Sequence, residues 1–302
     1  MRVCLAVLTT GARSETLKTC VKAVDRLEPV AGVSLALVIV HNGVREPDVT
    51  VRNVAATLRT PTTVIAEARR GIPFGRNRAL DHAAAHGFDH LAFIDDDAAP
   101  DPDWLLEIVA ALRESGADAV AGPQLPVFSE DAPPWLSRAR IYQARREPPR
   151  ARVDWAASNN VIFATRFVTS HGLRFNEAFT SGGSDKEFFL RFHARGGVIV
   201  WASEAIVREP VTPERLSIRW TVMRAWRLGT TGYAIVRGSR SPERAVLVCA
   251  YRGARYCLRG LVTLPMAVVP GGPGLVDSLC DIAHGVGFVL GMSQRFRMRR
   301  YV

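Results

Sequence analysis

The sequence predicts an α/β protein with a mostly parallel β-sheet flanked by helices, followed by a helical C-terminal region. Short apolar runs alternate with helix-length segments in the first part of the chain, a pattern typical of parallel sheets. The apolar runs are residues 3–8, 34–40, 62–66 and 91–94. Beyond residue 213 long amphipathic segments replace the strand-like runs. We therefore predict an α/β domain over residues 1–212 and a basic, amphipathic helical region over residues 213–302.

Three of these predicted strands end in polar residues that suit a ligand site. The first, second and fourth runs are followed by Thr9, by His41-Asn42 and by Asp95-Asp96-Asp97. Open α/β sheets bind their ligands at the carboxyl ends of the strands. We therefore expect these three segments to converge on one crevice.

The aspartate cluster predicts a divalent metal site. Three carboxylates at the mouth of a buried strand repel one another unless a cation or basic groups neutralise them, and oxygen ligands suit Mg²⁺ or Mn²⁺. Asp97 is the expected main ligand, with Asp95 on the same side of the extended chain and Asp96 on the other. A solvated acidic loop, or caps for the following helix, is the other interpretation; Asp101 and Asp103 fit that role better.

Composition limits the class of protein. The chain has 302 residues, of which 48% are hydrophobic and 23% charged, as in an ordinary globular enzyme. Its five cysteines are scattered and odd in number, which favours reduced thiols in the cytoplasm over a disulfide framework or a zinc site. The apolar part of the N-terminus is short for a secretory signal and is expected to be the first strand.

The net charge of +10 lies entirely in the C-terminal region. Residues 1–212 hold 25 basic and 25 acidic residues, whereas residues 213–302 hold 14 basic and 4 acidic residues. A neutral body with a basic, apolar tail indicates an anionic membrane surface as a partner and argues against nucleic acid.

Four motifs follow one another over about two thirds of the chain. They are Arg69-Arg70-Gly71-Ile72-Pro73-Phe74-Gly75-Arg76-Asn77, Phe93-Ile94-Asp95-Asp96-Asp97, Ser158-Asn159-Asn160-Val161-Ile162-Phe163 and Gly182-Gly183-Ser184-Asp185-Lys186-Glu187-Phe188-Phe189. In this order they resemble the family-2 glycosyltransferases of the GT-A fold, especially bacterial exopolysaccharide enzymes of the succinoglycan type. The resemblance implies a nucleotide-sugar donor, and places the motifs beside the donor diphosphate, at the metal, on the acceptor side and around the catalytic base, respectively.

The resemblance assigns Asp185 as the general base that deprotonates the acceptor hydroxyl in a single, inverting displacement. This chemistry requires a carboxylate within hydrogen-bond reach of that hydroxyl, opposite the leaving group. Ser184 to Glu187 is also a possible helix capping box, with Asp185 in the first turn. That interpretation leaves the preceding glycine pair unexplained, so we assign Asp185 to catalysis and Ser184 to the cap.

Residues around the motifs complete the predicted site. Arginine and amide side chains suit diphosphate oxygens, although surface ion pairing is the other interpretation of each arginine. The predicted donor-binding residues are Thr9, His41, Asn42, Arg70, Arg76, Asn77, Asp95 and Asp96, and the predicted acceptor-side residues are Trp155, Asn159, Asn160, Gly183 and Ser184. His41 and Ser184 depart from the family pattern, which has an aspartate and a glutamate there, so the nucleotide and the acceptor contact stay open.

The C-terminal region predicts helices that lie in a membrane interface. Arg219, Trp220 and Arg224 form a basic, tryptophan-containing segment that partly resembles the diphosphate cap of processive synthases; a plain packing helix is the alternative. A later apolar stripe at Leu275, Leu279, Ile282, Val286 and Val289 has Asp277 and Asp281 on its other side. Residues 295–300 would add attraction to anionic lipid. The alternative is packing on the body or a dimer contact.

From these features we expect a hexosyltransferase of cell-surface polysaccharide synthesis on the inner face of the cell membrane. Its acceptor would be a glycan or a polyprenyl-linked molecule. A metal-dependent nucleotidyltransferase also combines an α/β sheet with metal-binding aspartates, but a glycine-rich phosphate loop with a lysine is missing after the first strand. A non-catalytic protein that binds membrane or nucleic acid through its basic tail is a further alternative.

Overall fold

The computed structural model describes residues 1–180, 182–238, 240–268 and 274–293. They divide into two compact units. Unit 1 consists of Met1–Leu125, Ala144–Ala178 and Ser184–Glu209, and unit 2 of Pro126–Gln143, Phe179–Gly183 and Pro210–Val302. Unit 2 thus includes residues 126–143, 179–183 and 210–212 from the first 212 residues. The basic residues predicted to bind lipid at positions 295–300 lie outside the described residues.

The strands and helices are numbered in chain order. The strands are β1 Arg2–Thr9, β2 Ser34–Asn42, β3 Thr62–Glu67, β4 His90–Asp95, β5 Ala99–Pro100, β6 Ala119–Ala121, β7 Gln124–Val127, β8 Asn160–Ala164, β9 Ile199–Trp201 and β10 Val207–Pro210. The helices are α1 Ser14–Val24, α2 Val49–Ala56, α3 Ile72–Ala85, α4 Trp104–Ser115, α5 Trp135–Arg138, α6 Thr165–Ser170, α7 Ser184–Ala194, α8 Ile218–Arg237, α9 Pro242–Thr263 and α10 Leu275–Leu290.

Unit 1 is built on a seven-stranded sheet with the order β3-β2-β1-β4-β8-β6-β9. The pairs β1–β2, β2–β3, β1–β4 and β6–β9 are parallel, and β8 runs antiparallel to both β4 and β6. The predicted mostly parallel sheet is therefore confirmed. A second, three-stranded sheet has the order β5-β10-β7.

Both faces of the large sheet are buried, which explains why β1 is an unbroken apolar run. Leu5 packs in the cluster that contains Trp104 of α4, whereas Ala6 packs on the other face with Phe188 of α7. Neighbouring residues of a strand point to opposite faces, so each helix layer receives alternate side chains. The carboxyl ends of the strands are consequently held by a rigid core.

Unit 2 contains the long helices α8, α9 and α10, and α10 packs against both of the others. Among the described residues, no helix combines the length and the apolar character needed to cross a membrane.

Candidate active site

The strand register brings the predicted polar strand ends side by side. Thr9 at the end of β1 is paired with His41 of β2, and Leu8 is paired with Asp95 of β4. Thr9 is buried, and its hydroxyl group bonds to the carboxylate of Asp96. The three segments expected to converge therefore do so at one edge of unit 1.

Burial affects the acidity of the aspartate cluster. It raises the pKa of Asp95 to about 7, against the opposing effect of the positive charge on Arg76. Burial also raises the pKa of Asp96, against the opposing charge of Arg13. A cation beside Asp95 would favour its ionised form at neutral pH.

Arg13 provides positive charge next to the cluster and was not singled out from the sequence. Its Nη2 lies 2.8 Å from Asp96 Oδ1, and its Nη1 lies 2.5 Å from Asp97 Oδ2. The Arg13 side chain is half exposed, whereas both aspartates are buried. Its position in the loop after β1, at the same edge of the sheet, is the signal that would have identified it.

The donor atoms of the cluster fit a magnesium or manganese ion shared with a substrate. In the described ranges, no group of three or more His, Cys, Asp or Glu side chains is arranged to enclose a metal ion. Mg²⁺ in nucleotide enzymes is commonly held by one or two carboxylates together with substrate phosphates and water. Asp97 and Asp95 offer this kind of oxygen donor, so the residues present fit such an ion.

Arg76 is the residue that connects the aspartate cluster with the predicted base. It is buried on α3, and its Nη1 donates a hydrogen bond of 2.7 Å to Ser184 Oγ. Burial lowers the pKa of Arg76, while the negative charges of Asp185 and Asp95 act against this change. One guanidinium group therefore interacts electrostatically with both acidic positions.

Asp185 is held by backbone groups at the start of α7. Its Oδ1 accepts a hydrogen bond of 2.8 Å from Lys186 N, and its Oδ2 accepts one of 3.4 Å from Ser158 N. The side chains of the predicted capping box, Ser184 and Glu187, have other partners. Ser184 is the first residue of α7 and accepts from Arg76, and Glu187 pairs with Arg191 at 2.7 Å.

Trp155 lies on the same side of unit 1 as Asp185. The Lys186 ammonium lies 4.5 Å from the centroid of the Trp155 ring, and the Arg145 guanidinium lies 4.6 Å from it. Asn159 donates a side-chain hydrogen bond to Gln124. Trp155 thus contacts Lys186, the residue that follows the predicted base, and also Arg145.

The structure corrects the predicted roles of Asn77 and Asn160. Asn77 is 1% exposed and exchanges hydrogen bonds of 2.9 and 2.8 Å with the backbone of Phe175. Asn160 is also 1% exposed, accepts from Trp104 Nε1 at 2.8 Å, and donates to the carbonyl groups of Pro123 and Ala205. Because their amide groups are committed to these partners, we place both outside the substrate-binding set.

His41 and Asn42 differ from this pair. The Asn42 Nδ2 donates to Gly71 O at 2.8 Å, but its Oδ1 is buried without a hydrogen-bond partner among the described residues. A buried acceptor of this kind is unusual in native structures and is expected to meet a ligand or water.

His41 is 1% exposed and has a carboxylate neighbour that sequence reasoning missed. Asp48 N donates to His41 Nδ1 at 3.4 Å, so a neutral ring carries its proton on Nε2, which lies 3.7 Å from Asp48 Oδ2. Gly11, at φ +78°, lies close to His41 and Asp48, because a Cβ atom added at Gly11 would be 2.9 Å from His41 Nε2. A carboxylate group therefore lies beside the buried ring of His41.

The remaining predicted residues are divided between the two units. Arg70 is exposed in unit 1, next to Gly43. Gly183 belongs to unit 2, as do the three residues proposed to cap the diphosphate on α8. There the guanidinium of Arg224 lies 5.4 Å from the centroid of the Trp220 ring, and Arg219 is exposed. Their cap role stays a prediction.

Comparison with known proteins gives matches in sequence and in structure. Residues 6–172 match the family model described as glycosyl transferase family 2, and residues 90–274 match glycosyl transferase family group 2. The succinoglycan biosynthesis protein ExoM of Rhizobium meliloti (strain 1021) is 32% identical over 194 residues, which are 63% of this chain and 62% of ExoM. The matched region thus spans about three-fifths of that relative.

Among solved structures, the chain is similar to S. aureus TarS. The structure of TarS 1-349 in complex with UDP matches with a TM-score of 0.54 and 14% identity, over 95% of this chain and 91% of that one. The complex with UDP-GlcNAc matches with a TM-score of 0.53 and 16% identity, over 76% and 66%. At these identities the similarity is one of fold.

Proposed function

Because the chain belongs to glycosyl transferase family 2, we propose that it is an inverting enzyme that moves a hexose from a UDP-sugar to an acceptor hydroxyl group. The observation that carries this proposal is the hydrogen bond from the buried Arg76 to Ser184, the residue directly before Asp185. The charge of Arg76 acts on Asp185 and on Asp95, so the base and the aspartate cluster belong to one site within unit 1.

In the proposed reaction the acceptor oxygen attacks the anomeric carbon while the bond from that carbon to the diphosphate breaks. The proton of the acceptor hydroxyl passes to the carboxylate of Asp185. The backbone N–H groups of Lys186 and Ser158 orient this carboxylate. Arg76 positions the start of α7 through Ser184, and it adds positive charge where the leaving diphosphate gains negative charge.

We assign the binding of Mg²⁺ or Mn²⁺ to Asp97, with Asp95 as the second carboxylate. When bound, such an ion stabilises the charge that develops on the leaving diphosphate. Arg13 contacts both Asp96 and Asp97, so an ion held by Asp97 would share this carboxylate with the guanidinium group or replace it.

A UDP-sugar is the proposed donor for two reasons. The fold is shared with TarS, a protein whose structures contain UDP and UDP-GlcNAc. In this chain, Thr9, His41 with Asp48, and Asn42 offer polar groups at the strand ends where a nucleoside would lie. Arg70 is exposed and lies next to Gly43, the residue after Asn42.

The proposed acceptor is a glycan or a polyprenyl-linked sugar, used in exopolysaccharide synthesis as the name of the relative ExoM suggests. Trp155 with Lys186, Asn159 and Ser184 form the acceptor side, around Asp185. We place the enzyme at the cytoplasmic face of the membrane because residues 213–302 carry 14 basic and only 4 acidic residues.

The test is a donor-turnover assay on the purified protein with several UDP-hexoses, Mn²⁺ and a membrane extract as the acceptor source. The proposal predicts release of UDP that depends on the acceptor, and a product whose anomeric configuration, measured by NMR, is opposite to that of the donor. A product with the donor's configuration would contradict inversion. Failure to bind any uridine nucleotide in a thermal-shift assay would contradict the donor class.

A further inference from the structure

The helices of unit 2 contact each other through glycine. A Cβ atom added at Gly229 of α8 would lie 2.2 Å from a backbone oxygen of α10, and one at Gly260 of α9 would lie 2.6 Å from another. On α10, a Cβ atom added at Gly285 would lie 2.6 Å from a backbone oxygen of α9, and one added at Gly287 would lie 2.4 Å from a backbone oxygen of α8. The backbones of these three helices therefore approach closely at the glycine contacts, beside a small apolar cluster that includes Tyr233, Val236 and Phe288.

Charged groups are also buried inside unit 2. Asp281 of α10 is 5% exposed and accepts hydrogen bonds of 2.7 Å from both Arg140 Nη2 and Arg259 Nε. Asp277, one turn earlier, is 7% exposed and accepts from Arg140 N at 2.8 Å. The acidic side chains of α10 thus face inward, on the side opposite to its apolar stripe, as the sequence predicted.

Large apolar side chains point outward instead. The outward face of α9 follows the helical spacing and lies opposite Gly253 and Gly260. It consists of Leu247, Tyr251, Leu258, Leu261 and Val262, each between 58% and 69% exposed. On α10 the exposed members of the predicted stripe are Leu275, Val286 and Val289. These residues of α9 and α10 are called the outer face below.

The exposed apolar residues of the outer face depart from the pattern of a helix bundle surrounded by water. Water-soluble helices turn their large apolar residues inward and their charged residues outward. Small residues at helix contacts, with large apolar residues facing outward, are instead typical of helices that meet lipid.

Charge indicates which partner covers the outer face. Arg252 and Arg255 are exposed on α9 and lie along one edge of its apolar stripe. An apolar stripe edged by arginine matches a bilayer surface, where the apolar residues enter the headgroup boundary and the guanidinium groups meet lipid phosphates. A contact with a second copy of a basic chain would bring like charges together.

We propose that the outer face of unit 2 docks on the surface of an anionic phospholipid bilayer. The proposal goes beyond the transfer reaction, since it depends on α9 and α10 alone. Two separate contributions are combined in it, apolar burial by the stripe and electrostatic attraction by the arginines.

The test is co-sedimentation of the full-length protein with phosphatidylcholine vesicles that contain or lack phosphatidylglycerol. Binding is expected to require phosphatidylglycerol and to weaken as salt rises. The double variant Arg252→Glu with Arg255→Glu should weaken binding at least about tenfold. The double variant Leu258→Ser with Leu261→Ser should weaken it by a similar factor at low salt.

Matched controls come from exposed residues of unit 1. Leu106→Ser on α4, and Arg26→Glu with Arg52→Glu, should leave vesicle binding within about twofold, since they lie outside the outer face. Thermal melting of each variant checks that it folds. If the leucine variant does not fold, the arginine variant alone tests the proposal. The proposal is overturned if the wild-type protein does not bind anionic vesicles, or if the control variants lose as much binding as the outer-face variants. It is also overturned if sedimentation shows a dimer that the leucine variant splits, because the outer face would then cover a second copy.

Discussion

Arg76 Nη1 donates a hydrogen bond of 2.7 Å to Ser184 Oγ, and this bond joins residues that are 108 positions apart in the chain. It holds the start of α7, and with it Asp185, against the helix that follows β3. The same guanidinium interacts with the charge of Asp95. One buried arginine thus contacts the residue before Asp185 and acts electrostatically on Asp95.

Replacing Arg76 by lysine should therefore impair the reaction more than substrate binding. Lysine keeps the charge but lacks the planar fork of donors, so Ser184 and α7 lose their fixed position. We expect kcat to fall about tenfold to a hundredfold with a smaller change in KM. Steady-state kinetics with the donor varied measure this split. Arg78→Lys, on the exposed side of α3, is the matched control, and an equal loss in both variants would contradict the positioning role.

Arg13→Gln should make the protein depend on a divalent ion for stability. Without Arg13, Asp96 and Asp97 lose the guanidinium group that both carboxylates contact, and an added cation can replace its positive charge. The variant should melt below the wild type in EDTA, and Mn²⁺ should raise its melting temperature more than that of the wild type. Arg26→Gln is the control. Equal responses to Mn²⁺ in the variant and the wild type would argue against a cation site here.

Asp48→Asn should weaken UDP binding about tenfold, a loss typical of a hydrogen bond to a charged group. Asparagine still caps α2, where Asp48 Oδ1 accepts from Val51 N at 2.9 Å, so the fold should be kept. The change removes the negative charge beside His41 Nε2. Isothermal titration with UDP measures the effect, and Glu46→Gln in the same loop is the control. Unchanged affinity would remove Asp48 from the nucleoside site.

His90 is expected to make stability depend on pH. Burial lowers the pKa of His90, so the native state binds fewer protons at this position than the unfolded chain. Its contribution is fully present above the unfolded pKa of about 6.5 and is lost as pH falls through the lower native pKa. The unfolding free energy, measured by urea titration, should decrease less between neutral and acidic pH in His90→Gln than in the wild type. The exposed His171→Gln should show the same decrease as the wild type. A smaller decrease in His171→Gln, with an unchanged one in His90→Gln, would refute this assignment.

Most of the fold could be predicted from local sequence. The apolar runs of β1, β2 and β4 each end in polar residues, and parallel pairing aligns those ends. The GT-A type sheet is confirmed on this basis. The insertion of β8 between β4 and β6, antiparallel to both, depends on contacts between distant residues, so no local pattern indicated it.

The site was harder to predict because residues of the same type have different hydrogen-bond partners at different positions of the fold. Asn42 and Asn77 both follow apolar or glycine-rich motifs, yet Asn77 is fully engaged by Phe175 while Asn42 Oδ1 is left without a partner in the described structure. Arg13 meets Asp96 across 83 positions of sequence. Such pairings follow from the fold, and a sequence motif cannot indicate them.

The most direct test of the account is the transfer rate of Asp185→Asn, measured with donor, acceptor and Mn²⁺ and compared with Asp154→Asn. Asparagine fits the same space but cannot accept the proton of the acceptor hydroxyl. We expect a loss of about a hundredfold to ten-thousandfold, with the thermal shift caused by UDP retained. Asp154 is 79% exposed and its variant should stay active. Transfer within tenfold of wild type in Asp185→Asn would contradict the assigned base and the active site built around it.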